Sequence, residues 1–595
     1  MKKLINNIKE GTRFYWKIIK TVFRCNVLIN TIRLILTLIQ SSIPVGELVV
    51  LGKLINSIVE NKGIIKDSYI WLLLLLTLIA IQQLLQVLDS FLKNKVHKEL
   101  ELLLNKKIIK KIASLKYSEI ENEAVCQQRN RINNTMIDDF ENGYESIIDI
   151  FTIIYQVITI VIFISNYAWV ASIVIVILVI PIISFSIRQG KHMYDEYYKA
   201  DYHRRYADYL HRILMDRESV AEKSIFDFKD RVQKKWMAKE KKAIKIENYV
   251  DIKIALKMKG VNLIILLMAF LVILVLIINI YNHKLDVGIF ISLVNGILNL
   301  TTLLSWSFVQ KMCDIGKETM FIKEWEKVFS LEEEEGALDE PGNKIDVNSI
   351  EFVDVSFKYP GTDKYILNNF SAKFEKNKCY AIVGKNGVGK TTFAKLLMKL
   401  YDNYSGEILI NGIPIQQYKY ADIKKTISVV SQDFSRYPLS IKDNILVRAL
   451  GEKEEESKLK KVIKKIRLNS IVEELPNRMN TKLGRLVEGS VDLSGGEWQK
   501  IAIAGSLYSD ANIRVLDEPT ASLDPFTETE IYKMFHEAVR ETTILITHRL
   551  GATKTADEIL LIEDGRVKEK GSFSELCDLK GIFWSLYDEQ KSIYQ

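Results

Sequence analysis

Cysteine is sparse in this chain, and its placement excludes two chemistries. Five cysteines in 595 residues (Cys25, Cys126, Cys313, Cys379 and Cys577) lie too far apart in sequence for a disulfide framework. They form no CxxC pair and no metal-ligand spacing, and the seven histidines show no HExxH-type pattern. Proline is also scarce and uneven: seven of the nine fall at Pro341 or later. The N-terminus, MKKLINNIKEGTRFYWKIIK, lacks the small-residue cleavage site of a signal peptide. Being basic and amphipathic, it is expected to lie along the cytoplasmic membrane surface. The net charge of +8 is not gathered into one basic patch. Much of it flanks apolar runs, which points to membrane topology rather than to a nucleic-acid partner.

The mean hydropathy of +0.04 hides a division. Up to about residue 330 the chain carries long apolar runs; beyond it the pattern is that of an α/β protein. A helix needs roughly 20 apolar residues to cross the hydrocarbon core. Six stretches qualify: about 27–57, 69–90, 147–166, 168–187, 261–280 and 286–312. The connections near 60–67, 166–168 and 281–286 are short, whereas 94–143 and 188–258 are long and rich in Lys and Arg. The positive-inside rule places the long ones, and with them both termini, in the cytoplasm of a multi-pass protein. Their helical periodicity, as in KELELLLNKKIIKKIASL, reads as extension of the spans into the cytoplasm.

Polar residues inside the spans recur on single faces. Asn295, Asn299, Thr302 and Trp306 share one face of the last span, and Gln82, Gln86 and Asp89 share one face of the second. Glu47, beside Pro44 and Gly46, is a carboxylate at membrane depth. One reading is a polar translocation cavity, because intramembrane ionisable groups tend to face water-filled paths. The other is hydrogen-bonding glue between helices. Residues 330–346 (SLEEEEGALDEPGNKID) combine an acidic run with Gly and Pro and read as a linker. The expected domains are therefore 1–328, in the membrane, and 347–595, joined by 329–346.

The second half carries the sharpest chemistry. Gly384-Lys385-Asn386-Gly387-Val388-Gly389-Lys390-Thr391-Thr392 fits G-x-x-x-x-G-K-[ST] between a β-branched run and an apolar-periodic helix. Such a loop wraps phosphates with backbone N–H groups at a helix N-terminus. Lys390 reaches the β- and γ-phosphates of a nucleotide, and the Thr391 hydroxyl ligates Mg²⁺. Downstream, NIRVLDEP supplies a strand ending in Asp517, a second Mg²⁺ ligand, and Glu518, placed as general base on an attacking water. Residues 491–500 (VDLSGGEWQK) add a second anion-binding shape, two glycines behind a serine ahead of a helix.

With LSGGE at 493–497 included, the chain resembles the ATP-binding-cassette family over nearly its whole length, in the arrangement of a half-transporter exporter. The resemblance implies an α-helical membrane domain of six transmembrane helices, type I exporter-like, followed by an α/β P-loop nucleotide-binding domain, with ATP and Mg²⁺ as cofactors. It implies that Tyr359 stacks on adenine, that Gln432 touches Mg²⁺ and senses the membrane domain, and that His548 meets the γ-phosphate. Glu488 and Ser522-Leu523-Asp524 match the acidic loop residue and the D-loop. Ser494, Gly495, Gly496, Glu497 and Asp524 are then contacts to ATP held by a second copy, so the working unit is a dimer: a homodimer, with a heterodimer as the alternative. Coupling elements are implied near Glu119–Gln128 and Asp216–Phe226. Two positions depart from the family pattern: Gly505 stands where an arginine is usual, and Arg514 interrupts a strand that is usually apolar.

The short outer loops fit an exporter, and no N-terminal peptidase domain or large outer domain is expected. SGGEWQKIAIA, SQDFSRYPLSIKDNI and ESVAEKSIFDF resemble bacterial exporters of lanthipeptides and related modified peptides. That resemblance implies the cytoplasmic membrane of a bacterium, a peptide or small amphipathic substrate, lipid contact and peptide-modification enzymes as possible partners. Multidrug or lipid export, and a membrane ATPase that senses or confers immunity without moving cargo, remain as alternatives.

Overall fold

The computed structural model describes residues 15–60, 65–215, 220–281, 285–340, 342–449, 453–485, 488–519, 531 and 541–594. Two compact units divide the chain: residues 1–109 with 127–330, and residues 110–126 with 331–595.

The first unit is helical. After α1 (residues 15–25) come α2 (Val27–Glu60), α3 (Ile65–Ser114), α4 (Tyr117–Glu121), α5 (Glu123–Ser165), α6 (Trp169–Met215), α7 (Val220–Phe226), α8 (Lys229–Tyr281), α9 (Val287–Thr302) and α10 (Phe308–Phe329). Of these, α4 counts with the second unit. Among the described residues, Val27–Val59, Ser68–Ser114 and Met136–Ser165 are long and apolar enough to cross a membrane; Ile265–Tyr281 and Val287–Thr302 are shorter apolar helices. The expected span at 168–187 falls within α6, but from residue 178 its side chains lie outside the described set. Leu73, Leu84, Leu266 and Phe270 are exposed along these helices, as side chains facing lipid tails are in an isolated chain. Inside, Ile160, Ile164, Ala171, Ile175, Ile265, Val272, Leu276, Leu293 and Ile297 form one apolar core.

A buried arginine ties the first helices together. Arg33 of α2 donates from Nε to Asp89 of α3 at 2.9 Å and from Nη1 to Glu145 of α5 at 2.8 Å. In the last span, Thr301 Oγ1 donates to the carbonyls of Ile297 and Leu298, and Thr302 Oγ1 to that of Leu298. These hydroxyls compete for carbonyls of the preceding turn. The next residues, Leu303–Ser307, form a π-helical turn that carries Trp306 out of strict α-helical register with Asn295.

The second unit holds two sheets. β1 (Ser349–Phe357), β2 (Leu367–Glu375), β4 (Tyr404–Ile410) and β5 (Ile413–Pro414) make an antiparallel sheet in the order β2-β1-β4-β5. β3 (Cys379–Val383), β6 (Ile427–Val430), β7 (Ile513–Asp517), β8 (Thr542–Ile546), β9 (Glu558–Glu563) and β10 (Arg566–Gly571) order as β10-β9-β3-β8-β7-β6. All neighbours in that sheet are parallel except the edge pair β10–β9. Its central strands β3, β7 and β8 are buried throughout, as a parallel sheet covered on both faces requires. Around them lie α11 (Lys390–Leu397), α12 (Tyr420–Thr426), α13 (Ile441–Leu446), α14 (Glu456–Lys465), α15 (Asn469–Glu474) and α16 (Gly495–Tyr508).

The segment 110–126 belongs here for a local reason. At Lys116 the backbone turns extended (φ −57°, ψ 142°), which ends α3. Leu115 bridges to Glu333, Lys116 N–H donates to the Glu332 carbonyl at 3.1 Å, and Glu334 N–H donates to that of Ser114 at 2.8 Å. The start of the expected linker is thus paired as a short antiparallel ladder.

Candidate active site

Parallel strands gather the motifs. β3, β8, β7 and β6 are consecutive in the sheet, and the residues after their C-terminal ends are Gly384, Thr547-His548, Glu518 and Ser431-Gln432. Side chains more than a hundred residues apart therefore meet along one sheet edge, where open α/β sheets bind ligands.

The phosphate loop runs from the end of β3 into α11. Gly389, at the N-terminus of α11, has φ +104°, and a Cβ there would lie 2.7 Å from Leu367 Cδ2, so only glycine fits. Lys390 is buried, and its Nζ donates across the loop to the carbonyls of Gly384 (2.8 Å) and Lys385 (3.1 Å). The ammonium thus lies over the loop that would hold the phosphates. Burial lowers its pKa from the usual lysine value, opposed by the charges of Glu518 and Asp517. Tyr359, packed against the core of this unit, shares a 3.0 Å hydrogen bond with Thr392 Oγ1.

Asp517 ends β7 and is buried. Burial raises its carboxyl above the ordinary value; the hydrogen bond from Thr391 opposes the rise and the neighbouring Glu518 charge adds to it. Glu518 then leaves the strand at φ +48°, a left-handed conformation that a glutamate seldom adopts. Three contacts hold it there. Its N–H donates to the Ile546 carbonyl at 2.9 Å, Gln432 Nε2 donates to Oε2 at 3.0 Å, and His548 Nδ1 lies 3.1 Å from Oε1. The base, the glutamine and the histidine expected from sequence form one cluster around Glu518.

The residues present fit Mg²⁺. A hard cation of this kind takes one or two protein oxygens and leaves the other positions to phosphate and water. Asp517 and Thr391 provide such a hydrogen-bonded oxygen pair.

The second anion-binding shape opens α16. Ser494 is its N-cap: its side chain accepts from Glu497 N–H, while Glu497 Oε2 accepts from Ser494 N–H at 2.7 Å, a complete capping box. Gly495 and Gly496 are the first helical residues, whose N–H groups have no carbonyl within the helix to bond. Just beyond, Trp498 and Gln499 are buried, and Gln499 Nε2 points to the Glu518 carbonyl at 3.5 Å. Glu488 is exposed in the turn ahead of this helix. Asp524, with Ser522 and Leu523, lies outside the described residues, as does Asp216.

Both departures from the family pattern have partners. A Cβ on Gly505 would lie 2.6 Å from Arg448 Cβ, so the space beside α16 is taken by an arginine from the end of α13. That guanidinium donates to the Asn444 carbonyl at 2.6 Å and lies 5.2 Å from the centroid of the Tyr437 ring. Arg514 is buried in β7 but satisfied: Nε and Nη2 donate to the carbonyls of Ser506 and Ser509, and Nη1 pairs with Glu541. The sequence did not point to Arg448 or Glu541, and it marked Gln499 only through the likeness of the WQK tail to peptide exporters. The one signal was the anomaly at 505 and 514, which asks for compensation without saying where.

The expected cavity residues fare differently. Asp89 is committed to Arg33. Gln82 and Asn295 are half-buried, and Gln86, Asn299 and Trp306 are exposed, Trp306 by 60%. Glu47 Oε1 and, seven residues earlier on the same helix face, Gln40 Nε2 are buried without a hydrogen-bond partner among the described residues. At the expected coupling position, α7 leaves Ile225 and Phe226 exposed.

Comparison with known proteins adds the following. The family described as ABC transporter matches residues 367–521, and that described as ABC transporter transmembrane region matches 31–199. The subtilin transport ATP-binding protein SpaT of Bacillus subtilis is 27% identical over 97% of this chain and 93% of its own length. The nisin transport ATP-binding protein NisT of Lactococcus lactis is 26% identical over 98% of both chains. An ATP-dependent lipid A-core flippase of Pasteurella multocida is 38% identical, but over 40% of this chain and 41% of its own. The structure of a bacterial Atm1-family ABC exporter with ATP bound superposes with a TM-score of 0.75 at 21% identity, over 95% of this chain and 99% of that one.

Proposed function

We propose that this chain, which belongs to the ABC transporters and joins a transmembrane region to an ATP-hydrolysing domain, exports a peptide across a bacterial cytoplasmic membrane. Two observations support the cargo reading. The relatives that match from end to end are named for subtilin and nisin transport. The flippase match is higher in identity but spans only about two fifths of either chain, so it leaves most of this chain unmatched.

The chemistry rests on the Glu518 cluster. Lys390 and the α11 N-terminus hold the triphosphate, and Tyr359 stacks on the base. Mg²⁺ bound by Thr391 and Asp517 would neutralise charge on the β- and γ-phosphates. Glu518 orients and deprotonates the attacking water, with Gln432 and His548 fixing its two oxygens. The α16 N-terminus serves a nucleotide on a second copy, which makes a homodimer the working unit. Two cassettes that close only when ATP joins them drive an alternation of the spans between inward and outward access.

Transport into inside-out vesicles tests the reading. Labelled cationic peptide should accumulate with ATP and fail to accumulate in Glu518→Gln, which still binds ATP. Accumulation of a labelled lipid instead would replace peptide by lipid as cargo. ATP hydrolysis with movement of neither would favour a sensor or immunity ATPase.

A further inference from the structure

The side chains of α4 lead to the adenine-stacking ring. Glu121, the last residue of that helix, accepts from Lys395 Nζ at 2.7 Å through Oε1 and from the Tyr401 hydroxyl through Oε2. Lys395 lies on α11, one turn past the phosphate loop. Its ammonium is also 5.2 Å from the ring centre of Tyr117 and 5.5 Å from that of Tyr359. The buried Tyr401 ring packs edge-on against both tyrosines, with centroids 5.6 Å apart in each case. Tyr359 in turn reaches Thr392 of the phosphate loop. One cation and one carboxylate therefore join the tip of α4 to the ring expected under the base. Lys116 Nζ, 3.1 Å from Asp402 and 2.9 Å from Glu332, fixes the other end of α4.

We propose that Glu121, Lys395 and Tyr401 are positioning residues that set the Tyr359 ring, so that the seat of α4 governs how tightly the purine of ATP is held. This rests on the stacking role given to Tyr359 above. The resemblance implied a coupling element near these residues, but not a path to the base. The path has a physical basis. A lysine between a carboxylate and two ring faces has its position fixed by all three. Remove the carboxylate and the ammonium is free to turn to water, which leaves Tyr359 with one restraint fewer on its face. Coupling of this kind is reciprocal: if the seat of α4 favours adenine binding, adenine binding favours the seat of α4.

The test uses the full chain in lipid nanodiscs, with Mg²⁺ and two probes: ATP, and inorganic tripolyphosphate, which lacks the base. Tyr359→Ala should weaken ATP roughly tenfold and leave tripolyphosphate unchanged. Glu121→Gln and Lys395→Met should each weaken ATP about three- to tenfold, leave tripolyphosphate unchanged, and add nothing once Tyr359 is alanine. Lys395→Arg should restore most of the loss. ATP, but not tripolyphosphate, should slow amide exchange in 114–126. If Tyr359→Ala weakens ATP while Glu121→Gln and Lys395→Met do not, the path is wrong and the stacking role stands. Equal loss for both probes would make the cluster a general support of the cassette and overturn the inference. No loss in Tyr359→Ala would remove the stacking role, and the inference with it.

Discussion

Substituting Gly505 by alanine pits two effects of opposite sign against each other. Gly505 lies within α16, and on helix propensity alone the change should stabilise by about 1 kcal/mol. The packing says otherwise. The new Cβ would lie 2.6 Å from Arg448 Cβ, 2.9 Å from its Cδ and 3.2 Å from the Ile445 carbonyl oxygen. The nearest atom is the stiff base of the arginine, not its mobile tip, so α16 and the end of α13 must move apart. Overpacking of this kind costs about 1–3 kcal/mol, which leaves a net loss of about 1 kcal/mol and at most about 2. The assay is amide exchange across 495–508 in the detergent-solubilised chain, since a local opening free energy is defined even where global unfolding is not two-state. Protection should fall roughly fivefold, the equivalent of about 1 kcal/mol. Arg448→Gly, which removes the clashing Cβ, should return the gain expected from propensity when combined with Gly505→Ala. Slower exchange in the Gly505→Ala single variant would refute the reasoning, because propensity would then outweigh contact.

Other outcomes follow from the same geometry. Glu541→Gln leaves Arg514 in β7 with two carbonyl partners but no counter-charge. The cassette should lose about 2 kcal/mol, less than the 3–5 seen when a buried pair is fully broken, and a change under about 0.5 in its urea unfolding would contradict the assignment. Asp89→Asn and Glu145→Gln each leave Arg33 one carboxylate, so the double variant should lose far more folded protein from membranes than the sum of the singles; additive losses would show that the triad is not one unit. Glu47→Gln should lower uptake of cationic peptide without changing ATP affinity, and equal uptake would place Glu47 outside the cargo path. Glu121 gives a pH dependence. Burial alone would raise its carboxyl, but hydrogen bonds from Lys395, Tyr401 and Tyr117 hold it below the ordinary 4.5. Its share of the α4 seat is therefore full above about pH 4.5 and is lost as pH falls through the lower folded value. Exchange of residues 117–121 should accelerate there in wild type but not in Glu121→Gln.

The nucleotide site was legible because its chemistry leaves few choices. A loop that wraps phosphate needs glycine at fixed steps, and Gly389 proves to be both left-handed and too close to Leu367 for a side chain. Asp517 and Glu518 could be placed beside the phosphate loop because they close an apolar run that reads as a strand, whereas the roles of Gln432 and His548 were implied by the family resemblance. The structure adds what holds them, the three contacts on Glu518. The polar stripes were not decidable in the same way. Helical spacing is identical whether a face lines a cavity or bonds to another helix. Asp89 is decided by Arg33, which lies on a different helix and which helical spacing within α3 cannot reveal. The ladder at 114–116 with 332–334 was hidden because an acidic run followed by Gly336 and Pro341 looks the same paired or free.

The tail of the signature, Trp498-Gln499-Lys500, resembled that of peptide exporters, and its first two residues are buried among Ile501, Leu516 and their neighbours in the cassette core. The other cassette segment of that kind, 431–445, is tied into the same cassette by Asn444 and Arg448. Both stretches lie in the second unit. Their likeness to peptide exporters therefore points to relatives and does not identify a group that recognises cargo. Candidates for recognition in the helical unit are polar groups that are buried without a hydrogen-bond partner among the described residues. Glu47 and Gln40, on one face of α2, are such groups, and an orphaned carboxylate selects for positive charge and against an anionic lipid headgroup. The proposed peptide cargo thus rests on lineage, and the α2 carboxylate adds only a preference for positive charge on it.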